Sequence, residues 1–213
     1  MTRTMGLAAG LAALMALAGC AGMDKPACVA ADWRTVGYND GVQGRTLDAL
    51  ERHANDCTRH GAPPQLDAYM TGRNSGLVVF CQPWQGYGYG LRNKAYAGVC
   101  PANLEPDFLA AFHDGRRQHR LQSAYDTLRR QVQRADRRLD GLDADLDRKE
   151  RRLVAKDLST DQRLELIDQI RRLAEARGRL YEQLPVLESQ LVDADAELAA
   201  YQAAMAQRYP GGR

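Results

Sequence analysis

The sequence predicts a mainly α protein: a small disulfide-stapled helical head with a Gly/aromatic-rich loop, followed by a long antiparallel coiled-coil hairpin. Three observations lead there. Four of the five cysteines fall between residues 28 and 100. Aromatic-x-x-Gly phrases recur over the same stretch. From about residue 116 the composition changes to Arg, Asp, Leu, Gln and Ala, with apolar residues returning every three or four positions.

Composition narrows the function before any motif is read. The chain has 213 residues, 29 basic against 27 acidic side chains, and a net charge of +2, which is too small to advertise a polyanion partner. The positive charge is built from 25 Arg and only four Lys, and three Phe and two Trp serve the whole chain, so a large aromatic core is not expected.

The first residues read as an address. Arg3 precedes an apolar run from Met5 to Ala18, which fits a secretory leader and is too short for a membrane span. The run ends in Leu17-Ala18-Gly19-Cys20, which resembles a bacterial lipobox. The resemblance implies a signal peptide over 1–19, acylation of Cys20, and a lipidated N-terminus and linker over 20–27. Each buried CH₂ of the acyl chains contributes about 0.8 kcal/mol, so several chains anchor stably where one does not. Ala21 in place of Asp resembles lipoproteins sorted to the outer membrane. The expected location is therefore the outer membrane, lipid-anchored and facing the periplasm.

That compartment oxidises thiols, so Cys28, Cys57, Cys81 and Cys100 are expected to form two disulfides. Three connectivities exist. Cys28–Cys57 with Cys81–Cys100 is preferred because each pair closes the shorter loop, and each bond contributes roughly 3–4 kcal/mol. Cys57-x₂-His60 has a metal-ligand spacing, but it lacks the second close pair that a zinc site needs, and no metal or cofactor is expected.

The head spans residues 28–115. Asp32 suits a helix N-cap before Trp33, and Asp40-Gly41 suits a turn. Thr46 to His60 reads as a helix with Leu47, Leu50 and Ala54 on one face and Gly61 as its stop. Asp67 to about Phe80 reads as a second helix. From Gln82 to Pro101, glycines interleaved with Trp84, Tyr87, Tyr89 and Tyr96 predict a loop or short hairpin clipped by Cys81 and Cys100. Tyr38-x-x-Gly41, Tyr69-x-x-Gly72, Tyr87-x-x-Gly90 and Phe112-x-x-Gly115 share one phrase. On a helix that spacing puts ring and glycine on one face, where the small residue admits another backbone or ring.

Asp32-Trp33, Gly37-Tyr38, Asp40-Gly41, Gly44-Arg45, Tyr69, Gly72-Arg73, Gly76-Leu77, Pro83, Gly90, Tyr96 and Val99-Cys100-Pro101, together with Cys57 and Cys81, resemble an uncharacterised family of proteobacterial lipoproteins known as a domain of unknown function. The resemblance covers about residues 28–121. It implies an envelope protein and transfers no catalytic or binding residue.

The hairpin occupies 116–208, with its tip near 156–161 and a tail over 209–213. An unbroken a/d series runs from Leu121 through Tyr125, Leu128, Val132, Ala135, Leu139, Leu142, Leu146 and Lys149 to Leu153. Ser159-Thr160-Asp161-Gln162 has capping-box spacing, and a second series runs from Arg163 to Met205. Antiparallel pairing sets Tyr125 against Ala194, Ala135 against Leu184, Leu128 against Leu191 and Leu139 against Leu180; a slip of one heptad is the alternative. Lys149 and Arg177 are expected to snorkel out of the seam, and Pro185 to kink the second arm. The basic stretch 116–138 lies beside an acidic 182–197. That neutralising partner, with the extracytoplasmic address, argues against a nucleic-acid or anionic-lipid surface.

No common hydrolase or nucleotide motif occurs, so no catalytic residue is assigned and no enzyme is expected. His53, His60, His113 and His119 read as surface histidines. The functional expectation is a non-catalytic outer-membrane lipoprotein acting as periplasmic spacer, scaffold or adaptor, with the membrane held through its lipid and an envelope protein met through the hairpin. The alternative is a module that binds peptidoglycan or another envelope glycan through Trp33, Arg45, Arg73, Trp84, Tyr87 and Tyr89, since rings and guanidinium groups stack on sugars and engage carboxylates.

Overall fold

The structure, a computed structural model, describes residues 22–211, so the leader and Cys20 lie outside the described residues. Seven helices follow one another: α1 (Lys25–Val29), α2 (Trp33–Val42), α3 (Asp48–Thr58), α4 (Leu66–Phe80), α5 (Pro83–Leu91), α6 (Glu105–Leu153) and α7 (Thr160–Arg208). None of them is long and apolar enough to cross a membrane. The chain divides into two compact units, one ending at Val79 and the other beginning at Phe80. The boundary does not fall between 115 and 116, because α6 runs through that point as one helix and serves both the head and the hairpin.

In the first unit, Asp24 caps α1 and Asp32 caps α2, the latter accepting from the Arg34 N–H at 3.1 Å. Cys28 is bonded to Cys57, joining the segment before α2 to the end of α3. Around this bond Cys28, Trp33, Cys57 and Tyr69 form the buried core. The expected apolar face of α3 holds at Leu50, which packs on this core, and at half-buried Ala54, but not at Leu47. Ala49 is buried while Leu47, at the helix entry, is 48% exposed. Gly61 ends the segment with φ 72°, as its place as a stop required.

Helices α2 and α4 meet backbone to backbone. A Cβ built on Gly72 would lie 1.8 Å from the Arg34 carbonyl oxygen, and one on Gly37 would lie 2.0 Å from that of Tyr69. Gly41 and Gly76 are as tight, at 2.3 Å from the Arg73 oxygen and 2.2 Å from the Tyr38 oxygen. Asp40-Gly41 is therefore part of a helix and not a turn; the chain reverses at Gly44, φ 65°.

The second unit repeats this construction. Residues 83–91 form helix α5 where a loop was expected. Its glycines do not break the helix because they serve its crossing with α6: Cβ atoms on Gly86, Gly90 and Gly115 would lie 2.4, 2.1 and 2.1 Å from the carbonyl oxygens of Phe108, Phe112 and Tyr87. Gly86 and Gly90 thus correspond to Gly37 and Gly41, and Gly115 to Gly76. The helix ends agree as well. Gly44 N–H donates to Gly41 O and Arg45 N–H to Asp40 O; Asn93 N–H donates to Gly90 O and Lys94 N–H to Tyr89 O. Asn93 has φ 52°, matching the left-handed Gly44. Cys81 is bonded to Cys100, again tying the start of the first helix to the approach of the second.

Beyond the crossing, α6 and α7 pack along the expected seam. Ala135, Leu139, Leu142, Leu146, Leu198 and Met205 are buried, and no a/d position of either arm is fully exposed. Across the seam Arg177 Nη1 donates to Asp143 Oδ1 at 3.1 Å, and Lys149 Nζ donates to Gln169 Oε1. Each bond sits one residue from a facing pair of the unslipped register, which excludes the one-heptad slip. These two cations reach out to the edge of the seam and there bridge the arms, the Arg177 side chain remaining 42% exposed. At the tip Ser159 and Gln162 complete the capping box. Arg163 donates to the carbonyls of Leu153 and Ala155 at 2.6 and 2.7 Å, satisfying orphan acceptors at the end of α6. Helix α7 continues through Pro185.

Two expectations about the hairpin are corrected. Residue 209 does not belong to a tail: Tyr209 is buried, stacked on Tyr87 with ring centroids 4.9 Å apart. Nor does the acidic stretch neutralise the basic one. Arg117–Glu197, at 3.9 Å, is the one ion pair joining 116–138 to 182–197 among the described residues. The other arginines of 116–138 are exposed and make no ion pair to 182–197.

The crossings give a direct test. Gly76→Ala must push two backbones apart and is expected to cost about 1–3 kcal/mol. Gly141→Ala and Gly178→Ala meet nothing within 4 Å and are expected to gain up to about 1 kcal/mol from helix propensity. Thermal denaturation of the three variants checks the opposite signs.

Candidate functional site

The strongest concentration of chemistry in the head is a buried polar cluster that the sequence reading did not assemble. Asp40 lies on α2 between the crossing glycines and is 3% exposed. Burying a carboxylate costs several kcal/mol unless donors compensate it. Here three converge: Arg45 Nη1 on Oδ1 at 3.0 Å, Tyr69 OH on Oδ2 at 2.7 Å, and His53 Nε2 at 3.0 Å from Oδ2. Helices α2, α3 and α4 each contribute to this geometry, through Asp40, His53 and Tyr69. The imidazole of His53 stands edge-on between Trp33 and Tyr69, so it is a core histidine and not a surface one.

Arg73 forms the far side of the cluster. It is 7% exposed, and its Nη2 donates to the Arg45 carbonyl at 2.9 Å, while its Nε has no hydrogen-bond partner. Burial pushes the Tyr69 phenol far above its ordinary range, reinforced by its hydrogen bond to Asp40 and by the charge there. Tyr69 is thus a permanent donor.

The second crossing holds a smaller polar group. Tyr87 OH donates to Gln118 Oε1. Asp114 accepts from Tyr209 OH at 2.8 Å and from Arg208 Nη1 at 3.0 Å, and its backbone carbonyl from Tyr201 OH at 3.2 Å. At the positions corresponding to Asp40, Tyr69 and Arg73, this crossing carries Tyr89, Phe108 and Phe112, of which Phe108 and Phe112 are buried. The same backbone arrangement therefore forms without the buried charges.

The six residues expected to make a recognition face do not share one exposure. Trp33, Arg73 and Tyr87 are buried, and Arg45 has a half-exposed side chain turned onto Asp40. Tyr89 stands edge-on to Phe80, 5.4 Å between centroids. Trp84 is 40% exposed and is the most accessible ring of the group. Among the described residues no group of three or more His, Cys, Asp or Glu is placed to hold a metal ion.

Residues 32–117 match the family model described as Protein of unknown function (DUF2799). The matched segment begins at the Asp32 cap and ends just after Gly115, so it contains both glycine crossings and the Asp40 cluster and leaves out the hairpin beyond them. No curated protein and no solved structure matches the chain.

Asp40, His53 and Tyr69 were missed because each was assigned locally, to a turn, a surface and a repeat. The available signal was positional: Asp40 falls between Gly37 and Gly41, so it shares the side of α2 that the glycines commit to a close crossing.

Two predictions follow from this chemistry. Asp40→Ala removes the buried carboxylate on which Arg45, Tyr69 and His53 converge and is expected to cost about 3–5 kcal/mol, whereas Tyr69→Phe removes one bond to a charged acceptor and is expected to cost about 1.5–3 kcal/mol; chemical denaturation measures both. The phenols of Tyr96 and Tyr209 are pushed up to about 12, chiefly by burial. An unfolded phenol ionises near 10, so their contribution is full below about pH 10 and falls as pH rises from there through about 12. The melting temperature should drop across that window, and ultraviolet titration should show these phenolates appearing later than exposed ones.

Proposed function

We propose that the protein is a non-catalytic lipoprotein of the outer membrane that serves as a spacer, scaffold or adaptor in the periplasm. One observation carries the reading: the a/d seam runs from Leu121 to Leu153 of α6 and from Arg163 to Met205 of α7, so the longest stretch of sequence is given to the hairpin. The ionisable groups of the Asp40 cluster are turned on one another, as a structural core would have them. The Leu17-Ala18-Gly19-Cys20 phrase supports the lipid anchor, and two disulfides suit an oxidising compartment. An envelope protein met along the hairpin is the partner this reading calls for. The exposed Trp84 ring favours a second reading, glycan binding by the head.

Mass spectrometry of the protein extracted from membranes tests the anchor. The expected N-terminus is an acylated Cys20, and Cys20→Ala should release the chain from the outer-membrane fraction; an unmodified Cys20 in a membrane-free chain would reject the reading. Retention on purified peptidoglycan that Trp84→Ala abolishes would favour the glycan-binding alternative.

A further inference from the structure

The back of α6, on the side away from the seam, carries a stripe of one sign. Arg116, Arg120, Arg130, Arg134 and Arg137 recur at the outward positions of the heptad, interrupted by Ser123 and Thr127 and followed by Gly141 and Ala144; all nine are exposed. Between Arg116 and Arg137 the stripe runs roughly 32 Å at about 1.5 Å per residue. Several arginines elsewhere on the hairpin are paired: Arg129 with Asp126, Arg171 with Asp168 and Glu175, and Arg177 with Asp143. The five in the stripe have no carboxylate within ion-pair distance. Arg116 rests over the Phe112 ring, 5.8 Å from its centroid, and Arg130 donates to Thr127 Oγ1 at 3.1 Å.

We propose that this stripe is a docking surface for the headgroups of an anionic phospholipid bilayer, against which the hairpin lies along its length. The charge supplies the attraction, since guanidinium groups pair with phosphate oxygens in a bidentate way. The shape of the charged region selects a bilayer over other polyanions. Between Arg116 and Arg137 the flanking outward positions carry one acid, Asp126, which is paired with Arg129; exposed acids lie past that stretch, at Asp140 and Asp147 of α6, and on the other arm, at Asp193 and Asp195 of α7. A polymer that wraps the hairpin or grips it from two sides meets the acids of α7; a flat surface laid against residues 116–137 meets mainly the arginines. The stripe has no aromatic ring on which nucleotide bases would stack and no large aliphatic residue that would insert among acyl chains. It is therefore built for electrostatic adsorption. A net charge near zero conceals it because acids elsewhere in the chain compensate these arginines.

This inference does not require acylation of Cys20, and the test removes that variable. The chain carrying Cys20→Ser is sedimented with vesicles of phosphatidylcholine alone and of phosphatidylcholine with phosphatidylglycerol. Binding to the anionic vesicles only, weakened by added salt, is expected. Arg130→Gln, Arg134→Gln and Arg137→Gln combined should weaken it on the order of a hundredfold, whereas Arg171→Gln with Arg172→Gln on α7 should leave it within a few-fold, with helicity unchanged in both. Equal partition onto the two vesicle types, or a triple variant that binds like its parent, would overturn the proposal. Tighter binding to duplex DNA than to anionic vesicles at the same salt would overturn it in favour of a nucleic acid, and self-association lost in the triple variant would assign the stripe to a second copy of the chain.

Discussion

Each compact unit depends on a place where two helices touch through their backbones. At the α2–α4 and α5–α6 crossings the glycines bring carbonyl oxygens to within a distance that a methyl group would already occupy. A contact of that kind has no side chain left to adjust, so it fixes the depth and position of the crossing together. The disulfides tie segments that flank these helices and restrict the unfolded chain. In the second unit the consequence extends further, because α6 leaves the crossing without a break and becomes the first arm of the hairpin.

Having one construction twice in a chain separates what the fold needs from what was added to it. The second crossing is lined by rings, the cheaper solution in free energy, since buried ion pairs often gain little over apolar residues of similar size. The first crossing keeps Asp40, Arg45, Tyr69 and Arg73 with His53 close by. The glycines and left-handed helix ends are common to both; the charges are not. Buried polar groups of this kind specify one arrangement of side chains more strictly than apolar packing does, because every alternative leaves a donor stranded.

The hairpin was legible because its signal is long. A seam of leucines maintained over two helices, a capping box at Ser159 and a turn between them leave few other folds, and the register was narrowed to two alternatives one heptad apart, between which the Arg177–Asp143 and Lys149–Gln169 bonds decide. The disulfide pairing followed from loop length. Helix α5 was hidden because glycine counts as a breaker in any local reading, and only a tertiary contact turns Gly86 and Gly90 into helix residues. Asp40 was hidden for the same reason, since a short Asp-Gly phrase reads as a turn until a second helix is laid across it. The charge pattern misled differently. Proximity in sequence-derived register suggested that 116–138 and 182–197 neutralise each other, but an arginine on the outer face of a helix cannot reach a carboxylate beyond the seam.

The stacking of Tyr209 on Tyr87, with the Tyr209 hydroxyl held by Asp114, closes the hairpin at the end opposite its turn. An ordinary helical hairpin is fastened only at its connection, and its free ends unzip first when the structure loosens. Here the open end is buttoned by a ring pair as well, so fraying from that end must first break the stack and the bond to Asp114.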